Sequence, residues 1–214
     1  MDEESSLRGA EEVAPGFFMG RQIAPVRGHE LAEWFDRPDR EISELPDRLI
    51  RALPIDSSDT VADIGAGTGY FTFRLSKLVP RGRVLAVDID PLMLKLIDER
   101  REEHGIGNIE LVEGSPADPR LPATSVDLAL IVDSYHEFTH PAQMLRGILS
   151  GLKEGGYLVI VEYRGEDPTI PVDEPHRMTE EQIRREVEST GFEWVETRDF
   201  LPMQHVVVFR RPVG

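Results

Sequence analysis

The stretch Val61-Ala62-Asp63-Ile64-Gly65-Ala66-Gly67-Thr68-Gly69 constrains the fold of this chain more than any other. A short apolar run ends in an acid, and three glycines follow at alternate positions. Apolar residues then recur at Phe71, Leu75 and Leu78, the spacing of one helix face. The pattern predicts strand, tight turn and helix, the opening unit of an open α/β sheet whose ligands sit beyond the carboxyl ends of the strands. Glycine allows positive φ and lets the backbone approach a ligand with no Cβ in the way. The loop therefore reads as a ligand cradle, and a bare turn without a ligand is the alternative that the loop alone leaves open.

The spacing narrows the ligand. A dinucleotide fingerprint needs G-x-G-x-x-G, with the third glycine close to a pyrophosphate. Here the spacing is G-x-G-x-G, and Tyr70 stands where that third glycine would be. The G-x-x-x-x-G-K-[ST] pattern of a triphosphate cradle is absent as well.

Charge and composition exclude further classes. Forty acids against 24 bases give a net charge of −16, spread along the chain, with no concentrated basic face for a nucleic-acid backbone. There is no cysteine, hence no disulfide, thiolate metal site or cysteine nucleophile. No apolar run approaches the roughly 20 residues needed to span a bilayer, and the first residues are acidic, unlike a secretion signal. The expectation is a cytoplasmic protein, monomer or homodimer, acting on a small molecule away from membranes. At 214 residues it suits one domain with an N-terminal extension.

In chain order, residues 1–15 are polar and expected to lack fixed structure. Residues 16–40 carry Phe17, Phe18, Arg21, His29 and Trp34, either a lid over a substrate or a segment packed on the sheet edge. Ser43 is expected to cap a short helix that buries Leu45, Leu49, Ile50 and Leu53. A second strand over residues 83–88 ends at Asp88, 19 residues beyond Gly69, where a carboxylate can accept hydrogen bonds from a ribose diol. Asp90 and Pro91 open the next helix.

Residues 108–113 form a third predicted strand, followed by Gly114-Ser115-Pro116-Ala117-Asp118. Residues 125–132 are almost continuously apolar, as in a strand buried on both faces. They end in Asp133-Ser134-Tyr135-His136-Glu137-Phe138, a polar cluster at a strand's carboxyl end. Thr139 and Pro141 are expected to open a helix, Lys153-Glu154-Gly155-Gly156 to turn the chain, and residues 157–163 to form the fifth strand. Residues 165–178 form a loop long enough to border a pocket. Thr179 with Gln182 suggests a capping box, and two strands over residues 192–197 and 205–209 close the chain.

The glycine loop after Asp63, Asp88 at its spacing and the "LKEGGYLVIVEY" segment together resemble class I S-adenosylmethionine-dependent methyltransferases over about residues 55–210, closest to the small-molecule, ubiquinone/menaquinone-methyltransferase branch. That resemblance implies a Rossmann-like, seven-stranded, mostly parallel sheet with helices on both faces. Residues 1–54 would be an N-terminal extension and substrate lid, and residues 55–214 the cofactor-binding domain. S-adenosyl-L-methionine would be the cofactor.

Carried over by position, Asp63, Gly65 and Gly67 line the methionine end, with Thr68, Gly69 and Tyr70 completing the loop. Asp88 meets the ribose, Ile89, Ser115 and Pro116 the adenine, and Asp133 the donor's amino group. Ser115 departs from the acid usual at its position. The expected reaction is methyl transfer to a small-molecule acceptor at oxygen, nitrogen or carbon; the alternative is a donor-binding protein that transfers nothing. An acceptor that must lose a proton calls for a base. His136 oriented by Glu137 is the first candidate, with His29 and His205 as alternates. Asp133 and Glu162 could approach each other, but a third ligand is not visible, so no metal is expected.

Overall fold

The computed structural model describes residues 16–214; the stretch 1–15 expected to lack fixed structure lies outside the described residues. A small hairpin, β1 (Phe17–Phe18) and β2 (Arg21–Gln22), leads into three short helices, α1 (Ala32–Phe35), α2 (Arg40–Ser43) and α3 (Pro46–Ala52). The sheet follows: β3 (Thr60–Ile64), α4 (Thr72–Leu78), β4 (Arg83–Asp88), α5 (Pro91–Glu103), β5 (Ile109–Glu113), β6 (Val126–Val132), α6 (Pro141–Gly151), β7 (Leu152–Tyr163), α7 (Glu180–Glu188), β8 (Glu193–Arg198) and β9 (Gln204–Arg210). Its strand order is β5-β4-β3-β6-β7-β9-β8. The first five strands run parallel, and β9 inserts antiparallel between β7 and β8. The seven-stranded, mostly parallel sheet is the one expected.

Strand residues alternate between two cores. Ala62, Ile64, Leu85, Val87, Ala129 and Ile131 face α6 and α7, which bury Leu145, Ile148, Ile183 and Val187. Val61, Val84, Ala86, Leu128 and Leu130 face α3, α4 and α5, which bury Leu49, Leu75 and Ile97. Helices on both faces account for the unbroken apolar runs in the sequence. The chain leaves β3 toward β4 on one side and β6 lies on the other, so a crevice opens beyond their carboxyl ends, where such sheets place ligands.

Several local expectations need correction. Ser43 ends α2 rather than capping a helix; Leu45, at φ 49° in the left-handed region, turns the chain into α3, where Pro46 is the first residue. Thr139 caps nothing: its hydroxyl meets His140, and α6 starts at Pro141. The Lys153–Gly156 turn is a bulge inside β7, with Val126 opposite Leu152 but Leu128 opposite Tyr157. The capping box on α7 is half formed. Thr179 accepts from the Gln182 backbone at 3.1 Å, while the Gln182 side chain turns to Glu186 and to the Met19 carbonyl.

Candidate active site

A cavity of about 430 Å³ opens at the carboxyl ends of β3, β4 and β6. Three glycines with positive φ shape the loop beneath it, each for a different reason, and Gly65 and Gly67 line it. Gly65 (φ 73°) has no room for a side chain, because a Cβ would stand 2.6 Å from Ser134 Oγ. Gly67 (φ 54°) has open space around it and is needed for its backbone conformation alone. Gly69 (φ 84°) lets α4 pack, since a Cβ would come within 2.8 Å of Phe73. The loop is held to β4 by the Gly65 and Ala66 amides, which donate to the Val87 carbonyl at 2.9 and 3.0 Å.

Acids ring this loop. Asp88 ends β4, and its carboxylate accepts from the Gly67 amide at 2.8 Å and the Asp90 amide at 2.9 Å. Burial pushes it above the ordinary carboxylate range in spite of those donors. Asp63 is buried and accepts from Thr72 Oγ1 at 2.6 Å; burial raises it to about 6. Asp133 sits at the end of β6 with φ 48°, a strained conformation of the kind that clusters at functional sites. Gln204 donates to its Oδ2 at 2.8 Å, but its buried Oδ1 has no partner. Burial, then the neighbouring charges of Glu44 and Glu162, hold Asp133 well above the usual range.

Of the expected cofactor residues, Asp63, Gly65, Gly67, Thr68, Tyr70, Asp88, Ile89, Pro116 and Asp133 line the cavity. Gly69 and Ser115 do not; the wall next to Pro116 is Gly114 rather than Ser115, whose hydroxyl turns to the Asp118 carbonyl.

His136 and Glu137 also line it, on the turn after β6. The carboxylate that holds the imidazole is Glu162, not Glu137: Nδ1 lies 2.6 Å from Glu162 Oε2, whereas Nε2 is 3.7 Å from Glu137 Oε1. Burial pulls His136 down, but the charges of Glu162 and Glu137 outweigh it and push it up to about 9. His29 lies outside the cavity, half exposed and bonded to Asp90 at 2.8 Å. His205 is bridged between Asp199 at 2.7 Å and Glu166 at 2.8 Å and does not reach the cavity.

The N-terminal segment supplies the facing wall through Val26, Arg27, Trp34, Phe35, Arg37 and Arg40. Arg40 is buried and pairs with Glu44 at 2.8 Å; Arg37 (2.6 Å) and the Tyr163 hydroxyl (2.9 Å) donate to the same carboxylate. Thr68 Oγ1 donates to Asp36 at 2.6 Å, which ties this segment to the glycine loop. Sequence reasoning missed Arg40 and Glu44, whose signal was an i,i+4 pair from the first residue of α2 to the residue that follows it. It missed His176 too, although the loop carrying it was expected to border a pocket.

The cavity is rich in acidic groups. Six carboxylates line it (Glu44, Asp63, Asp88, Asp90, Asp133 and Glu137) against three arginines and no lysine. Such a site suits a cationic ligand and repels a pyrophosphate.

Comparison with known proteins agrees. A family model described as a methyltransferase domain matches residues 55–201. The chain belongs to this family, the class I S-adenosylmethionine-dependent methyltransferases. It is 32% identical over 142 residues to the ubiquinone/menaquinone biosynthesis C-methyltransferase UbiE of Pseudomonas putida (strain GB-1), a match covering 63% of this chain and 56% of that one. The UbiE of Pseudomonas fluorescens (strain SBW25) matches to the same extent. The chain thus aligns with little more than half the length of these relatives. Among solved structures, a SAM-dependent methyltransferase from Aquifex aeolicus superposes with a TM-score of 0.81 at 22% identity, over 86% of this chain and 99% of that one. This likeness speaks to the fold.

The family's cofactor, S-adenosyl-L-methionine, suits the residues present. Its sulfonium and ammonium match the excess of carboxylates, and Asp133 Oδ1 is a buried acceptor that lacks a donor. Asp88 keeps free lone pairs for a ribose diol, and Ile89, 40% exposed beside it, offers an apolar surface to a base.

Proposed function

We propose that this chain transfers a methyl group from S-adenosylmethionine to a small, largely apolar acceptor with an ionisable oxygen, and that the reaction is C-methylation of a ring of the quinone-precursor type. The observation that carries this reading is one cavity that joins the acid-lined cradle to a wall of Trp34, Phe35, Phe138, Val172 and Tyr163. The relatives named as ubiquinone/menaquinone biosynthesis C-methyltransferases support the same class. Residues 16–54 act in this reading as a lid that sets acceptor choice, and the net charge of −16 counts against a nucleic-acid acceptor. Among the described residues no helix is long and apolar enough to cross a membrane.

The donor supplies a methyl group on a sulfonium, a good leaving group, so the chain's task is alignment and exclusion of water. Asp88 and Asp133 hold the donor, and the aromatic wall stacks the acceptor against it. His136 carries a proton at neutral pH because of Glu162, so it donates a hydrogen bond to the acceptor oxygen instead of acting first as a base. That contact stabilises the phenolate-like form, whose ring carbon is the nucleophile. The hydroxyl proton leaves to solvent; the ring carbon then forms the new C–C bond as the S–CH₃ bond breaks with its electron pair kept by sulfur as a thioether, and the ring proton passes to solvent or a cavity carboxylate.

Calorimetric titration with S-adenosylmethionine, S-adenosylhomocysteine and NAD, followed by labelled-methyl transfer to phenols, quinols, amines and carboxylates, tests the reading. Binding of the first two ligands, with transfer to phenols or quinols, is expected. Donor binding with no transfer to any acceptor would favour a protein that holds the donor without using it, and binding of NAD alone would overturn the cofactor assignment.

A further inference from the structure

We propose that His136, Glu137 and His176 form a binding site for one divalent transition-metal ion of the zinc type, at the acceptor end of the cavity. His176 lies on the loop after β7, 40 residues beyond His136 in sequence, yet the two rings meet edge to face at 4.9 Å. Glu137 Oε1 stands 3.7 Å from His136 Nε2 and 3.9 Å from His176 Nδ1, and the three ligand atoms all fall within 4.8 Å of one another. Ligand atoms in a tetrahedral site with bonds of about 2.1 Å are about 3.4 Å apart. The two edges through Glu137 therefore need to shorten by about half an ångström or less.

Three further observations point to a cation here. His176 is more than nine-tenths buried, and its Nδ1, turned toward Glu137, has no hydrogen-bond partner; a bound ion removes that deficit. Glu162 holds His136 by Nδ1 at 2.6 Å, which leaves Nε2 directed at the cluster, the carboxylate–histidine–metal arrangement. The Arg27 amide donates to Glu137 Oε2 at 3.0 Å and leaves Oε1 for the two imidazoles.

Charge fixes the valence. Glu137 and Glu162 contribute two negative charges, which a divalent ion neutralises. The cations nearby are the Arg27 guanidinium, which lies over the Trp34 ring at 5.2 Å from its centroid, and Arg21, which donates to the His136 carbonyl at 3.0 Å and is itself paired with Glu186. Two imidazoles select zinc, cobalt, nickel or iron over magnesium or calcium, which prefer oxygen. All three residues line the cavity, so a coordination position stays open toward it. With the ion bound, His136 Nε2 gives up its proton to become a ligand, and the ion replaces the imidazolium in polarising the acceptor oxygen.

Metal binding at these residues requires neither donor nor acceptor, so its failure and a failure of methyl transfer are separable. The test uses the full chain, stripped with chelator and titrated with Co²⁺ and Zn²⁺. One equivalent of Co²⁺ with visible d–d absorption, displaced by Zn²⁺, is expected. His176→Gln and Glu137→Gln, checked for folding by circular dichroism, should each bind at least tenfold more weakly, while His205→Asn binds as the parent does. X-ray absorption of the Zn²⁺ form, which needs no variant, should count two imidazoles. Absence of stoichiometric binding, unchanged binding in both Gln variants, or fewer than two imidazole ligands would overturn the site.

Discussion

His136 Nδ1 and Glu162 Oε2 lie 2.6 Å apart with both side chains buried, one on the turn after β6 and the other near the end of β7. The pair joins neighbouring parallel strands at the cavity rim, where His136 lines the cavity. Its partners raise His136 from 6.5 to about 9, so the stability it contributes is fully present below pH 6.5 and is lost as pH rises through 9. In chelator, unfolding free energy should fall by about 2–3 kcal/mol across that window. In Glu162→Gln the His136 titration followed by NMR should move down toward neutrality, and the alkaline loss should shrink. An imidazole still titrating near 9 in that variant would remove Glu162 as the cause.

Asp63 loses stability in the same direction, as pH rises, but at lower pH and because burial disfavours its charged form. Burial raises it from 3.8 to about 6, so its contribution favours folding below 3.8 and is lost as pH rises through 6. Asp63→Asn keeps an acceptor for Thr72 and removes the cost of burying a charge. Denaturant unfolding should show the variant gaining on the parent by up to about 3 kcal/mol between pH 4 and pH 7. A pH-independent difference would mean that Asp63 is not the titrating group.

Asp88→Ala should weaken S-adenosylmethionine binding by about 1–3 kcal/mol, as read by calorimetry. The side chain also accepts from the Gly67 and Asp90 amides, so part of the loss comes from a loosened glycine loop. Asp88→Asn, which keeps one acceptor oxygen, should fall between the two. Unchanged affinity in the alanine variant would sink the ribose assignment.

Trp34 is 40% exposed, lines the cavity and lies against the guanidinium of Arg37, 3.9 Å from its ring centroid. Trp34→Ala should therefore cost little stability, about 1 kcal/mol. If residues 16–54 serve as a lid, acceptor KM should rise at least fivefold while donor affinity stays within twofold. A fall in donor affinity alone would place Trp34 on the other half of the site.

What was legible in the sequence was what local pattern encodes. The glycine loop, the acid at the end of β4 and the apolar runs of β3 and β6 follow from φ, side-chain period and burial, so the sheet and the glycine-loop side of the cavity could be read in advance. The errors of detail came where a tertiary contact outbid a local preference: Ser43 ends a helix because Leu45 takes the left-handed turn, and Ser115 faces Asp118 while Gly114 lines the wall. The opposite side of the cavity was decided by the tertiary structure alone. Glu162 displaces Glu137 as the partner of His136, Arg40 is buried against Glu44, and His176 reaches His136 from a distant loop. Sequence spacing carries no record of these pairings, because each arises where adjacent strands and the segments above them bring charged groups out of water, and the charge and position of neighbours then set which partner each group finds.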